Sequence, residues 1–162
     1  MSKKVRLEDA VGLFEKVFEE GGEVSFVTSG ISMIPMLGDG TDKVYLVKAC
    51  GPLKKNDVPL VRRKKDGSFV LHRVVGTDGD GYILRGDNQW FCERGIKHDQ
   101  VIGVVTAFEK NGKRTDCKSP RYKMYCLFLP VIRYSRKYFY MFTDRLFKRK
   151  AEKEKSKREE KQ

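Results

Sequence analysis

The stretch SFVLHRVVGTDGDGYIL, residues 68–84, decides the fold. Ser68–Val75 and Tyr82–Leu84 are rich in Val, Ile, Phe and Tyr, and the run Asp78-Gly79-Asp80-Gly81 between them supplies turn chemistry. Strand, tight turn, strand is the reading. The same grammar repeats on both sides. Val24–Thr28, Lys43–Val47, Val58–Arg62 and Val101–Phe108 read as strands, separated by Gly38-Asp39-Gly40, Asp66-Gly67 and, after the last, Asn111-Gly112. Six short strands with this punctuation predict a mainly β protein, a small antiparallel coiled sheet or barrel. Before it, Leu7, Val11, Phe14 and Phe18 share one helical face, and Gly21-Gly22 stops that helix.

Past the sheet the composition changes. Residues 121–149 mix aromatics with Lys and Arg and predict a basic amphipathic helix, broken or kinked at Pro130. The expected organisation is an N-terminal helix over 1–22, a core over 23–112, the helical segment over 120–149 and a charged, frayed or disordered tail over 150–162.

Charge follows the same division. The chain of 162 residues has a net charge of +12. Residues 1–109 hold 16 Lys and Arg against 16 Asp and Glu, whereas residues 110–162 hold 18 against 6. All the excess positive charge therefore follows the core and points to an anionic partner, an anionic membrane surface met through 121–149 or nucleic acid. The most apolar window, Met124–Phe142, contains Arg133, Arg136 and Lys137. Each central charge costs roughly 2.5–3.5 kcal/mol on insertion, which excludes a spanning helix there. The N-terminus lacks the apolar region of a secretory signal. Cys50, Cys92, Cys117 and Cys126 form no paired framework and read as free thiols of a reducing compartment. With only His72 and His98 available, no metal site and no cofactor is expected. The expected location is the cytoplasm or the cytoplasmic face of a membrane.

Three short stretches can carry chemistry. Ser32 follows a strand and sits two residues after Gly30 and three before Pro35, in a turn that exposes a hydroxyl and aims backbone N–H groups at a developing oxyanion. His72 lies within a strand whose alternation puts Val70, His72 and Val74 on one face. If that face is inward, burial keeps the imidazole neutral, as a general base must be. Asp87 and Asn88 follow Gly86 in a turn. Glu93, Asp87 and Asp99 are the carboxylates able to orient the ring, and spacing does not choose among them. Taken singly, Ser32 reads as a turn serine and His72 as a satisfied core histidine.

Their order is more specific. Gly30-Ile31-Ser32-Met33-Ile34-Pro35 resembles the G-x-S-M-x-P box of signal peptidase I and of the SOS-repressor-type self-cleaving proteases. Asn56-Asp57-Val58 is similar to the family's G-D-[IV] stretch, with Asn for Gly. His72-Arg73-Val74-Val75-Gly76 is similar to its [KH]-R-V-[IV]-G box, and Gly86-Asp87-Asn88 to its G-D-N box. Glu93-Arg94 resembles the acidic-plus-Arg pair, and Val101-Ile102-Gly103 the closing strand. The resemblance covers about residues 24–108. It implies the signal-peptidase type of coiled sheet, with Ser32 as nucleophile and His72 in the place of the bacterial lysine base, as in the endoplasmic-reticulum and archaeal type. Glu93 stands where that type carries an Asp behind the histidine. Gly30, Met33, Asp87 and Asn88 take supporting places.

What the resemblance implies is a serine endopeptidase that removes a signal or leader peptide after small residues. Neither the tether of signal peptidases nor the DNA-binding module of the repressors is expected from residues 1–162, since no apolar span is found and only about 22 residues precede the core. The alternative is a catalytically inactive module of the same fold that binds peptide or, less in keeping with the core, nucleic acid.

Overall fold

The computed structural model describes residues 7–136, 138 and 141. Most of 137–149 and all of the expected tail 150–162 lie outside the described residues. The chain divides into two units after Tyr125.

In the first unit, helix α1 (Leu7–Glu19) precedes nine strands: β1 (Val24–Val27), β2 (Lys43–Val47), β3 (Pro59–Arg62), β4 (Phe69–Leu71), β5 (Arg73–Asp78), β6 (Gly81–Arg85), β7 (Glu93–Ile96), β8 (Val101–Lys110) and β9 (Lys113–Asp116). The protein is mainly β, and its pairings are antiparallel throughout. The larger sheet runs β1-β2-β8-β3-β4, with β9 also on β8. The smaller runs β5-β6-β7. Register shifts at Tyr45/Leu46, Leu60/Val61, Val74/Gly76 and Tyr82/Leu84 bend the strands and give the sheets their curl.

Leu53, Val61, Val74, Tyr82, Leu84 and Ile96 form a buried cluster that draws on both sheets. The face of α1 read from the sequence is the one that packs. Phe14 and Phe18 are buried, and Phe14 stacks on Phe26 at 5.9 Å. At Gly103 an added Cβ would lie 3.0 Å from the Phe18 ring, so the absent side chain lets helix and sheet close together. Gly21 ends α1 at φ +74°, its N–H donating to the Phe18 carbonyl.

Three details differ from expectation. The single strand expected over Ser68–Val75 is two. β4 pairs with β3 and β5 with β6, and the chain changes sheets at His72, which belongs to neither. Strands β7 and β9 were not expected, because Glu93–Ile96 and Lys113–Asp116 are short and polar and owe their form to pairing partners rather than to apolar alternation. The helix that opens at Pro120 runs through Pro130 to residue 136, so of the break or kink expected there a break is excluded. Ser119 caps it, its Oγ accepting the Tyr122 N–H at 3.2 Å, and Pro120 occupies the first turn, where a missing N–H costs nothing. Among the described residues, no helix is long and apolar enough to cross a membrane.

Candidate active site

The turn that carries Ser32 is fixed at several points. Leaving β1, the Thr28 N–H and hydroxyl both donate to the Asp42 carbonyl, at 2.9 and 3.2 Å. Gly30 adopts φ +97°, a conformation open to glycine, and its N–H donates to Asp39 Oδ1 at 2.6 Å. Asp42 is buried and accepts the Gly38 N–H at 2.7 Å, which closes the far end of the loop. The Gly86-Asp87-Asn88 turn braces it from the other side. The Asn88 N–H donates to the Ser32 carbonyl at 2.8 Å, and its side-chain amide donates to the Ile31 carbonyl at 3.0 Å. A Cβ on Gly86 would lie 2.6 Å from the Ser32 carbonyl oxygen, so that glycine is required for the approach.

His72 is 2% exposed and sits where the chain passes from one sheet to the other. Ser32 and His72 line the same cavity, of about 270 Å³, together with Gly30, Met33, Leu37 and Arg63. Phe69, Val70 and Leu71 of β4 form another part of its wall. Ser32 is half-buried, and among the described residues no hydrogen bond joins its hydroxyl to the imidazole.

Of the three carboxylates that the spacing left open, Glu93 is the one at the ring. Its Oε1 lies 2.8 Å from His72 Nδ1, a close approach that is not aligned as a hydrogen bond. Arg63 grips the same carboxylate with a two-pronged contact, Nε to Oε2 and Nη2 to Oε1, both 2.6 Å. Asp87 is turned elsewhere. It is buried and takes two hydrogen bonds from Arg73, at 2.8 and 2.7 Å, and one from the Tyr125 hydroxyl at 2.9 Å. Asp99 pairs with Lys64 in solvent.

The electrostatics suit a neutral imidazole. Desolvation pushes the His72 value below its ordinary 6.5, and the Glu93 charge opposes this only in part. The Arg63 hydrogen bonds hold Glu93 below the usual carboxylate range, so it stays ionised beside the ring. Arg63 is correspondingly raised by Glu93.

Sequence reading had brought forward Ser32, His72, Glu93, Gly30, Met33, Asp87 and Asn88. The first five meet around the cavity or directly behind His72. Asn88 acts through backbone and side-chain bonds to the serine turn, and Asp87 supports the buried Arg73. Arg63 and Asp39 were missed. Arg63 sits in the basic run 62–65, which reads as a solvated patch, and its partner is 30 residues away. Asp39 lies in a turn that explains it without any further role.

No protein-family model matches the chain, and no curated protein matches it.

Proposed function

We propose that the protein is a serine endopeptidase of the signal-peptidase type, cleaving a signal or leader peptide after small residues. The observation that carries this reading is the convergence of Ser32 and His72 on one cavity, with an ionised Glu93, clamped by Arg63, against the far nitrogen of the ring.

In this mechanism the Ser32 hydroxyl attacks the peptide carbonyl carbon while His72 Nε2 takes its proton. Nδ1 faces Glu93, whose charge stabilises the imidazolium that forms. Backbone N–H groups of the serine turn supply the oxyanion donors. Collapse of the tetrahedral intermediate breaks the C–N bond, and the imidazolium returns the proton to the departing amine. Water then enters by the same base and releases the acid from the serine ester. β4 ends the strand order of the larger sheet, so its outer edge is suited to pair with an extended substrate alongside Phe69–Leu71. The preference for small residues at the cleaved bond rests on the resemblance of the boxes around Ser32 and His72.

A second reading, a catalytically inactive peptide-binding module, draws on the absence of a Ser32–His72 hydrogen bond. Such contacts are often long in unliganded enzymes and tighten with substrate. A quenched fluorogenic peptide with alanine before the scissile bond separates the two. The enzyme reading expects cleavage by the native protein and loss to background in both Ser32→Ala and His72→Ala. Retained peptide binding with no cleavage by the native protein supports the module instead.

A further inference from the structure

Beyond the cavity, the second unit presents an uncovered apolar stripe. Leu127, Phe128, Val131, Tyr134, Tyr138 and Met141 are each more than half exposed, from 53% at Phe128 to 72% at Leu127. They are helical, and Leu127, Val131, Tyr134, Tyr138 and Met141, spaced by three and four residues, lie along one helical face with Phe128 at its margin. A contiguous exposed apolar face of this length calls for a partner.

Charge selects among the partners. Between Asp116 and Asp144 the chain carries Lys118, Arg121, Lys123, Arg136 and Lys137 besides the buried Arg133, and no acidic residue. Helix pairing between two copies would bring like charges together along the seam, with no Glu or Asp to complement them. Nucleic acid would answer the charge but leave the leucine, valine and methionine in water. An anionic bilayer answers both. Apolar side chains sink into the boundary of headgroups and acyl chains, tyrosine hydroxyls stay at headgroup level, and Lys and Arg meet the phosphates.

We infer that this helix is an in-plane anchor for anionic lipid bilayers, seated by the face from Leu127 to Met141. The inference concerns lipid attachment and stands apart from whether Ser32 and His72 hydrolyse anything.

Co-sedimentation of the full chain with vesicles tests it. Binding is expected to phosphatidylcholine vesicles that contain phosphatidylglycerol, and far less to pure phosphatidylcholine. Arg136→Gln with Lys137→Gln removes two positive charges and should lower the partition about 25-fold, about fivefold for each charge. Leu127→Ser with Val131→Ser keeps every charge and should lower it tenfold or more. Circular dichroism confirms that each variant is folded. Phe128→Trp in a Trp90→Phe background adds a local readout, with its emission quenched by brominated acyl chains. Equal binding to neutral vesicles overturns the inference. So does full binding by the Leu127→Ser, Val131→Ser chain, which would make the attraction electrostatic alone. A native protein that sediments at twice the chain mass, and at the single mass in that same variant, assigns the stripe to a second copy instead.

Discussion

Burial and two neighbouring side chains, Glu93 and Arg63, set the charge state of His72, with Glu93 raising its value and burial and Arg63 lowering it. Burial depresses the folded value below the unfolded one near 6.5, so the neutral ring's contribution to stability is complete above that unfolded value. It is lost as pH falls through the lower folded value. Under the proposed mechanism, the acid limb of kcat/KM against pH is therefore expected below pH 6.5. Glu93→Gln removes the charge that resists desolvation, so the limb should move further to acid and the rate fall roughly 10²- to 10⁴-fold. Arg63→Met removes a cation that lowers the histidine, so the limb should move the other way, with a reduced rate. Arg63→Lys should rescue this only partly, since an ammonium cannot grip both carboxylate oxygens at once. Limbs that shift together in Glu93→Gln and Arg63→Met would contradict this account. Glu93 was one of three candidate carboxylates in the sequence, and its place at the ring came from the fold. Arg63 was not legible there, because an ion pair across 30 residues leaves no mark on local spacing.

At the scale of elements, two turns meet back to back, one holding Ser32 and one holding Gly86-Asp87-Asn88. Gly86→Ala forces a methyl within 2.6 Å of the Ser32 carbonyl and 2.9 Å of Gln89 Oε1, so the serine turn must shift. A displacement of this kind is expected to cost about 100-fold in kcat/KM. Far-ultraviolet circular dichroism should remain native, and steady-state kinetics on the fluorogenic peptide reads the loss. Asn88→Ala keeps its backbone bond to Ser32 and loses only the side-chain bond to Ile31, so its effect should be smaller. The sequence named the turn residues, since glycine and Asx chemistry are local. That the two turns touch depends on the pairing of β5 with β6, which carries Gly86 back from the far end of the smaller sheet to the serine loop.

Across the first unit as a whole, Arg73 is the buried tie. It lies at the start of β5, 1% exposed, and reaches Asp87, the Asn56 carbonyl and the Tyr122 hydroxyl, residues from three separate parts of the chain. Arg73→Met leaves the Asp87 carboxylate buried without its cation and is expected to destabilise by about 3–5 kcal/mol. Urea unfolding followed by circular dichroism measures this. Replacing both partners, as Arg73→Met with Asp87→Leu, should recover much of the loss, because no unpaired charge then remains. A double variant as unstable as the single one would place the stabilisation in the tyrosine and Asn56 contacts instead. The sequence marked Arg73 only as part of a box around His72 and gave no sign of its buried position.

By itself, the sequence determined the mainly β class, the N-terminal helix with its Phe14–Phe18 face, a helix opening at Pro120, and the pair Ser32 and His72 that the fold brings to one cavity. Each of these is written in short-range periodicity, turn chemistry or the order of motifs. Tertiary structure decided the rest. It split the expected strand at His72, paired the polar strands β7 and β9, and assigned Glu93 rather than Asp87 or Asp99 to the ring. Those outcomes turn on which distant segments pair and which charges lose water together. Neither quantity exists until the sheets close, because a carboxylate's partner is set by burial and distance in the folded chain rather than by its neighbours in sequence.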